Sequence, residues 1–93
     1  MDKENKKLNA DDLEGVSGGS GWYMTVNIPN KYLTLRPQPY YDQYHELAQL
    51  YPGYQLFTYG EITNGTDAQG NKCVYRKVCY NGIWGWVDAR YIY

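Results

Sequence analysis

The side chains best suited to covalent chemistry in this chain of 93 residues are one histidine, His45, and two cysteines, Cys73 and Cys79. A cysteine nucleophile needs a base within hydrogen-bond reach, so one of the cysteines would have to meet His45 in the fold. The sequence leaves that contact open. Both cysteines fall in a predicted strand, however, where a small apolar residue is commoner than a reactive one. We therefore expect a protein that is not an enzyme.

The same three side chains are a poor metal site. Two cysteines and one histidine do not complete a tetrahedral zinc site without a carboxylate, and their spacing matches no zinc knuckle. No phosphate-binding glycine loop or paired-carboxylate motif appears. Six steps along a strand, at ~3.3 Å each, separate Cys73 and Cys79 by roughly 20 Å, whereas a disulfide spans at most ~7 Å. We expect no metal, no cofactor and, unless a turn replaces that strand, no bridge between the two cysteines.

Aromatic residues dominate the rest of the composition, with twelve tyrosines and three tryptophans, all at or after Trp22. A domain of this size is marginally stable, and large rings are one way to complete its core. Tyrosine hydroxyls remain polar, however, and so many closely spaced tyrosines cannot all be interior. The composition therefore predicts an exposed aromatic surface, as found at ligand-stacking and interface patches.

The first 19 residues have a pattern of their own. Gly18 and Gly19 end the segment, and Val16, Leu13 and Leu8 occupy positions minus four, minus seven and minus twelve when Gly19 is counted as minus one. The stretch can form a short helix starting at Asn9. This register resembles the double-glycine leaders of bacteriocins and related bacterial peptides. The resemblance implies an ABC exporter with a cysteine-peptidase domain that cuts after the second glycine; the alternative is a disordered, charged N-terminus with accidental leucines. The processing residues would be Leu8, Asp12, Leu13, Val16, Gly18 and Gly19.

Turn and breaker residues divide the remaining chain into short segments of β composition. Pro37 and Pro39 open a polar, tyrosine-rich loop that runs to His45, and Asn81-Gly82 is the strongest two-residue hairpin signal. Residues 64–71 are predicted as a long hairpin loop, and residues 88–90 allow a last helical turn. The predicted strands are residues 23–28, 32–36 (with Leu33 and Leu35 on one face), 55–63, 72–80 and 83–87.

Five short antiparallel strands predict an all-β fold, a small antiparallel barrel. Three groups of motifs follow one another from about residue 30 to residue 93: Leu33-Thr34-Leu35-Arg36-Pro37-Gln38-Pro39, Glu46-Leu47 with Leu50 and Pro52-Gly53, and Asn81-Gly82-x-x-Gly85-Trp86-Val87 followed by Tyr91. Their order resembles the bacterial Src homology 3-like (SH3-like) domain. The departures are Gln38 where a glycine is common and the lengthened loop at residues 64–72. We therefore divide the chain into a leader (1–19), a linker and first strand (20–29) and an SH3-like barrel (30–93).

That resemblance implies a secreted or wall-associated binding module directed at peptidoglycan or a short peptide. A bacteriocin-like effector and a protein partner or regulator of a cell-wall hydrolase are the alternatives. The leader carries three lysines against five acidic residues and the remainder six basic against five acidic, so neither part predicts nucleic-acid binding. No apolar run approaches the ~20 residues that span a bilayer, so we expect no membrane insertion. The candidate ligand-binding residues are Tyr40, Tyr41, Tyr44, Tyr75, Trp84, Trp86 and Tyr91.

Overall fold

The computed structural model describes residues 20–29 and 31–93. The predicted leader, residues 1–19, lies outside the described residues. The described chain is all-β, and every strand pair in it is antiparallel. The elements are strands β1 (Trp22–Thr25), β2 (Leu33–Leu35), β3 (Ala48–Leu50), β4 (Gln55–Thr58), β5 (Ile62–Thr66), β6 (Lys72–Tyr80) and β7 (Ile83–Asp88), followed by a single 3₁₀ turn, Ala89–Tyr91.

Strand β6 is the centre of the larger, five-stranded sheet. Strand β7 pairs along one edge of it from Tyr75 to Tyr80. The other edge is shared, because β5 pairs with the first half of β6 and β4 meets it at Cys79. Strand β1 pairs with β4, and Val26, directly after β1, is buried in the core. Residues 22–26 are therefore part of the same folded unit as the strands that follow.

Two backbone pairings join the remaining segments to this sheet. Arg36, directly after β2, and Trp86 on β7 each donate an N–H to the other's carbonyl, at 2.9 and 2.7 Å. Val26 bridges Ile92, and the backbones of Thr25 and Tyr93 bond each other at 2.8 and 3.1 Å. The β2–β3 hairpin and the last three residues are thus fixed to β7 and β1.

The predicted strand 55–63 and the predicted loop 64–71 are both wrong in their bounds. Strand β4 ends at Thr58, whose hydroxyl donates to the Lys77 carbonyl at 2.7 Å and accepts the Gly60 N–H at 2.9 Å. Gly60, at φ +96°, turns the chain into β5. Residues 62–66 then pair with β6, because tertiary pairing overrides the local turn preference of Asn64-Gly65. Seven strands result where five were predicted.

Other predictions are confirmed. Strand β6 has the predicted bounds, and the hairpin after it carries positive φ at both Asn81 (53°) and Gly82 (82°), as a type I′ turn requires. The last helical turn is capped by Asp88, whose carboxylate accepts the Arg90 N–H. Leu33 and Leu35 are both in the core. The buried core is Val26, Leu33, Leu35, Leu50, Leu56, Val78, Val87 and Ile92. No helix among the described residues has the length and apolar character needed to cross a bilayer.

Candidate binding surface

Four aromatic side chains form one exposed cluster on the outer face of the larger sheet, here called the aromatic ledge: Tyr23, Phe57, Tyr59 and Trp84. The strand register places three of them in one row. Tyr23 on β1 lies opposite Phe57 on β4, Phe57 lies opposite Cys79 on β6, and Cys79 lies opposite Trp84 on β7. Directly opposed residues in antiparallel strands project from the same face, so the row is a consequence of strand order.

Phe57 is the centre of the ledge. Its ring centroid lies 5.3 Å from Tyr23, 5.0 Å from Tyr59 and 6.4 Å from Trp84, with interplanar angles of 69°, 89° and 79°. Tyr59 and Trp84 stack on each other, 5.9 Å apart and 11° from parallel. Phe57 is half-buried, whereas Tyr23, Tyr59 and Trp84 are 65%, 44% and 43% exposed. Three rings therefore stand out around a recessed fourth.

Tyr59 lies just beyond the end of β4, in a turn whose backbone contacts Trp22 and Arg76. A Cβ at Gly60 would come within 2.8 Å of the Trp22 ring, so the backbone passes close under that ring. The Arg76 guanidinium lies 5.9 Å from the Trp22 ring centroid and donates to the Gly60 carbonyl at 2.8 Å. These contacts fix the turn and hence the position of the Tyr59 ring against Trp84.

The ledge continues along β7 toward the β2–β3 loop. Trp86 lies two positions after Trp84 and so on the same face of the strand, where it is half-buried. Trp86 pairs with Lys77 on β6 and forms an isolated bridge with Arg36. The Arg36 guanidinium lies 4.8 Å from the ring centroid of Tyr41 and donates to the Asp42 carbonyl at 3.3 Å. Of the sequence-predicted residues, Trp84, Trp86 and Tyr41 therefore follow one path across the surface.

A separate groove of about 190 Å³ lies beyond that path, and Tyr41, Tyr75 and Tyr91 are among its lining residues. Three of its four ionic side chains bond one another, because Arg90 contacts Asp88 at 2.6 Å and Asp67 at 3.4 Å, while the fourth, Arg36, donates to the Asp42 carbonyl. The pKa of Asp67 is lowered, chiefly by the backbone N–H of Asn71. The Arg90 guanidinium also lies 5.5 Å from the ring centroid of Tyr91. This groove therefore has its charges and one ring face already occupied by its own side chains.

Tyr75 was predicted to face a ligand, but its side chain is buried in the structure. Tyr75 is 2% exposed and its hydroxyl donates to the Thr66 carbonyl at 2.8 Å. Burial raises its pKa to about 12. The loop at Pro39 passes close over Gly65 on the neighbouring strand, where a Cβ would collide with the Pro39 carbonyl but would meet the Tyr75 ring only at an ordinary contact distance.

Tyr40 and Tyr44 in the same loop are exposed, as expected, and neither ring contacts the four rings of the ledge. Tyr40 lines a hollow of about 250 Å³ with Arg36, Asp42 and His45. His45 Nδ1 lies 2.6 Å from the Asp42 carboxylate, and the Tyr44 N–H donates to the same carboxylate. Those two contacts, the Tyr44 N–H foremost, lower the pKa of Asp42. Tyr44 itself is 81% exposed.

Both cysteines are free and lie on β6. The partner of His45 in the structure is Asp42, so the Cys–His contact that the sequence left open is not among the contacts of the described residues. Burial raises the pKa of the Cys73 thiol, which makes it a weaker nucleophile. No group of three or more potential metal ligands occurs in the part of the chain that the structure describes.

Sequence reasoning missed Tyr23, Phe57 and Tyr59. Each lies in or next to a predicted strand, but the alternation within one strand shows only which residues share a face. The order of strands across a sheet, β1-β4-β6-β7, is what brings these rings to Trp84. The alternation of Phe57 and Tyr59 is a local signal that these two rings share a face, and it was not used in the sequence analysis.

The fold and the ledge together define a small domain of antiparallel strands that presents a continuous aromatic cluster. Comparisons with protein-family models, with curated proteins and with solved structures found no match to this chain.

Proposed function

We propose that this chain is an exported bacterial binding module of SH3-like fold, without enzymatic activity, that recognises peptidoglycan or a short peptide through the aromatic ledge. Residues 1–19 act as a double-glycine leader removed by an ABC exporter with a cysteine-peptidase domain, and the mature protein begins at Ser20. The module then acts outside the cell or at the cell wall.

One observation carries the binding assignment: three rings that are 43% to 65% exposed pack as a single cluster around Phe57. Exposed apolar side chains scattered singly need no explanation, but a contiguous patch on a small protein is often functional. The ledge rests on paired strands and a held turn, so its rings are positioned before any ligand arrives. Preorganised aromatic groups bind at a lower entropic cost than mobile ones.

Several features support the SH3-like part of the proposal. The tight hairpin at Asn81-Gly82 leads into β7, a single 3₁₀ turn follows, and the chain returns to pair with β1. Gly85 lies against the Arg36 carbonyl, where a Cβ would approach to 2.7 Å. These are the hairpin and the close-approach glycine on which the sequence resemblance depends.

The test is co-sedimentation of the mature protein, residues 20–93, with purified bacterial sacculi. We expect retention by the sacculi, loss of retention for Trp84→Ala and unchanged retention for Tyr44→Ala, which removes an exposed ring away from the ledge. Thermal unfolding of each variant controls for folding. Absence of sedimentation, together with no binding to soluble peptidoglycan peptides, would contradict the proposal. The intact mass of protein from culture medium tests the leader: a species beginning at Ser20 supports it, and full-length protein confined to cells contradicts it.

A further inference from the structure

The exposed part of the ledge is small for a protein interface. An aromatic side chain offers roughly 150 to 250 Å² of surface, so Tyr23, Tyr59 and Trp84 together expose about 300 Å² at their measured fractions. A stable protein–protein interface takes about 800 Å² from each partner. The ledge is therefore of a size to hold a few residues of a slender chain, and too small by itself to hold a folded partner or a second copy.

The ledge has the form of a short trough. Among the described residues the Tyr23 ring pairs only with Phe57, so Tyr23 and the Tyr59–Trp84 stack lie to different sides of it. The centroids of Tyr23 and Trp84 are within about 12 Å of each other, because they lie 5.3 and 6.4 Å from Phe57. Half-buried Phe57 is the floor, with the Gly21 backbone packed against the tip of its ring, and the exposed rings are the walls.

The chemistry of the trough is almost wholly apolar. None of its four side chains is charged at neutral pH, and the residue opposite Phe57 across the strands is Cys79, another weakly polar side chain. The polar groups of its four side chains are the hydroxyls of Tyr23 and Tyr59 and the indole N–H of Trp84. These are few partners for the several hydroxyl groups of a sugar, and an unpaired buried hydroxyl is costly. A cationic side chain would lose hydration and would also meet the like charge of Lys77, which lies two positions before Cys79 and on the same face of β6. An aliphatic side chain has neither cost.

We infer that the ledge binds a peptide segment through one large aliphatic side chain, such as leucine, seated on Phe57 between Tyr23 and the Tyr59–Trp84 stack. This inference rests on the proposed function, which assigns the ledge as the binding surface, and it selects the peptide rather than the glycan as the group in contact. The attraction is hydrophobic burial, so it is insensitive to salt.

The experiment uses three capped tripeptides that differ only at the centre, N-acetyl-Ala-Leu-Ala-amide, N-acetyl-Ala-Ser-Ala-amide and N-acetyl-Ala-Lys-Ala-amide, with a β-1,4-linked N-acetylglucosamine oligomer as the fourth probe. Each is titrated into the mature protein while the indole N–H resonance of Trp84 is followed by NMR. We expect the leucine peptide to shift this resonance with an affinity about tenfold above that of the serine peptide, equally at low and high salt. Tyr23→Ala removes the shift, and Tyr44→Ala leaves it.

The opposite results are distinguishable. A shift caused by the sugar oligomer and not by the leucine peptide overturns the inference and leaves the ledge as the binding surface of the proposed function. Equal shifts for all three peptides also overturn it, because the central side chain would then make no difference. If none of the four probes shifts Trp84 and sacculi are not retained, the inference and the proposed function fail together.

Discussion

The Trp84 ring on β7 stacks on the Tyr59 ring just beyond β4 with their planes 11° apart, although the two residues are 25 positions apart in the chain. Strand β6 lies between β4 and β7, and the stack crosses it. Because Tyr59 is anchored by the Gly60 turn, it fixes the indole in one orientation. The exposed tryptophan is thus a rigid part of the surface.

Removing Tyr59 should loosen Trp84 more than it destabilises the fold. Tyr59→Ala deletes one stacked and one edge-to-face ring contact on a half-exposed side chain, so we expect a loss of about 1 kcal/mol in the free energy of unfolding. Urea denaturation measures that loss. The NMR indole signal of Trp84 should broaden or shift, whereas that of Trp22 should not; an unchanged Trp84 signal would show that the stack does not hold it.

Gly85 should be intolerant of a side chain. Gly85→Ala places a Cβ 2.7 Å from the Arg36 carbonyl oxygen and 3.0 Å from Leu35, which would separate β2 from β7. We expect a loss of about 2 to 3 kcal/mol from overpacking. Gly70→Ala is the matched control: its Cβ meets open space, so only the positive φ is unfavourable, at about 1 kcal/mol. Equal losses for the two variants would show that the contact with β2 is not tight.

Tyr75 should make stability depend on pH above 10. Burial raises its pKa in the fold to about 12 from 10.0, so the folded state holds the proton that the unfolded state releases. The stabilisation is complete below pH 10 and is lost as pH rises toward 12, by about 2 kcal/mol over that interval. Urea denaturation at pH 9 and pH 11.5 measures it. Tyr75→Phe should show a smaller decline than the parent; an identical decline would contradict the assignment.

Asp67 should make the free energy of unfolding decrease as the pH falls in the acid range. Its carboxylate accepts the backbone N–H groups of Asn71 and Gln69, at 2.9 and 3.0 Å, and these bonds lower its pKa, the Asn71 bond most. The stabilisation is therefore present above the ordinary pKa of 3.8 and is lost as pH falls through the lower folded value. Asp67→Asn keeps an acceptor oxygen without titrating. The urea midpoint of unfolding of this variant should fall less than that of the parent between pH 4 and pH 2. An equal fall for the two proteins would show that Asp67 does not cause the loss of stability in acid.

The sequence predicted well those features that depend on neighbouring residues. Asn81-Gly82 specifies a type I′ turn by its φ requirements, and the segment from Lys72 to Tyr80 has strand composition throughout. The end of β4 at Thr58 could not be predicted. It depends on a hydrogen bond from the Thr58 hydroxyl to the Lys77 carbonyl, which is 19 positions away in the chain. Asn64-Gly65 was taken as a turn because nothing local shows that β6 will pair with it.

The sequence predicted that an aromatic surface is exposed, but it did not predict which residues form the ledge. Composition indicated that an aromatic surface must be exposed, and Trp84 is 43% exposed. The burial of Tyr75 was not predicted, because its hydroxyl bonds the Thr66 carbonyl on a neighbouring strand and no local pattern shows that contact. Tyr23 and Phe57 were missed because they are neighbours only across strands. Strand order is a property of the whole fold, so a row of side chains across a sheet is not visible in any single segment.

The most direct test of the central claim maps the binding surface residue by residue. Soluble peptidoglycan peptides are titrated into isotope-labelled mature protein, and backbone and indole resonances are followed by NMR. The account predicts that the largest shifts fall on Tyr23, Phe57, Tyr59 and Trp84, with little change at Tyr44. Shifts concentrated at Tyr41 and Tyr91 in the groove, or no shifts at any residue, would contradict it.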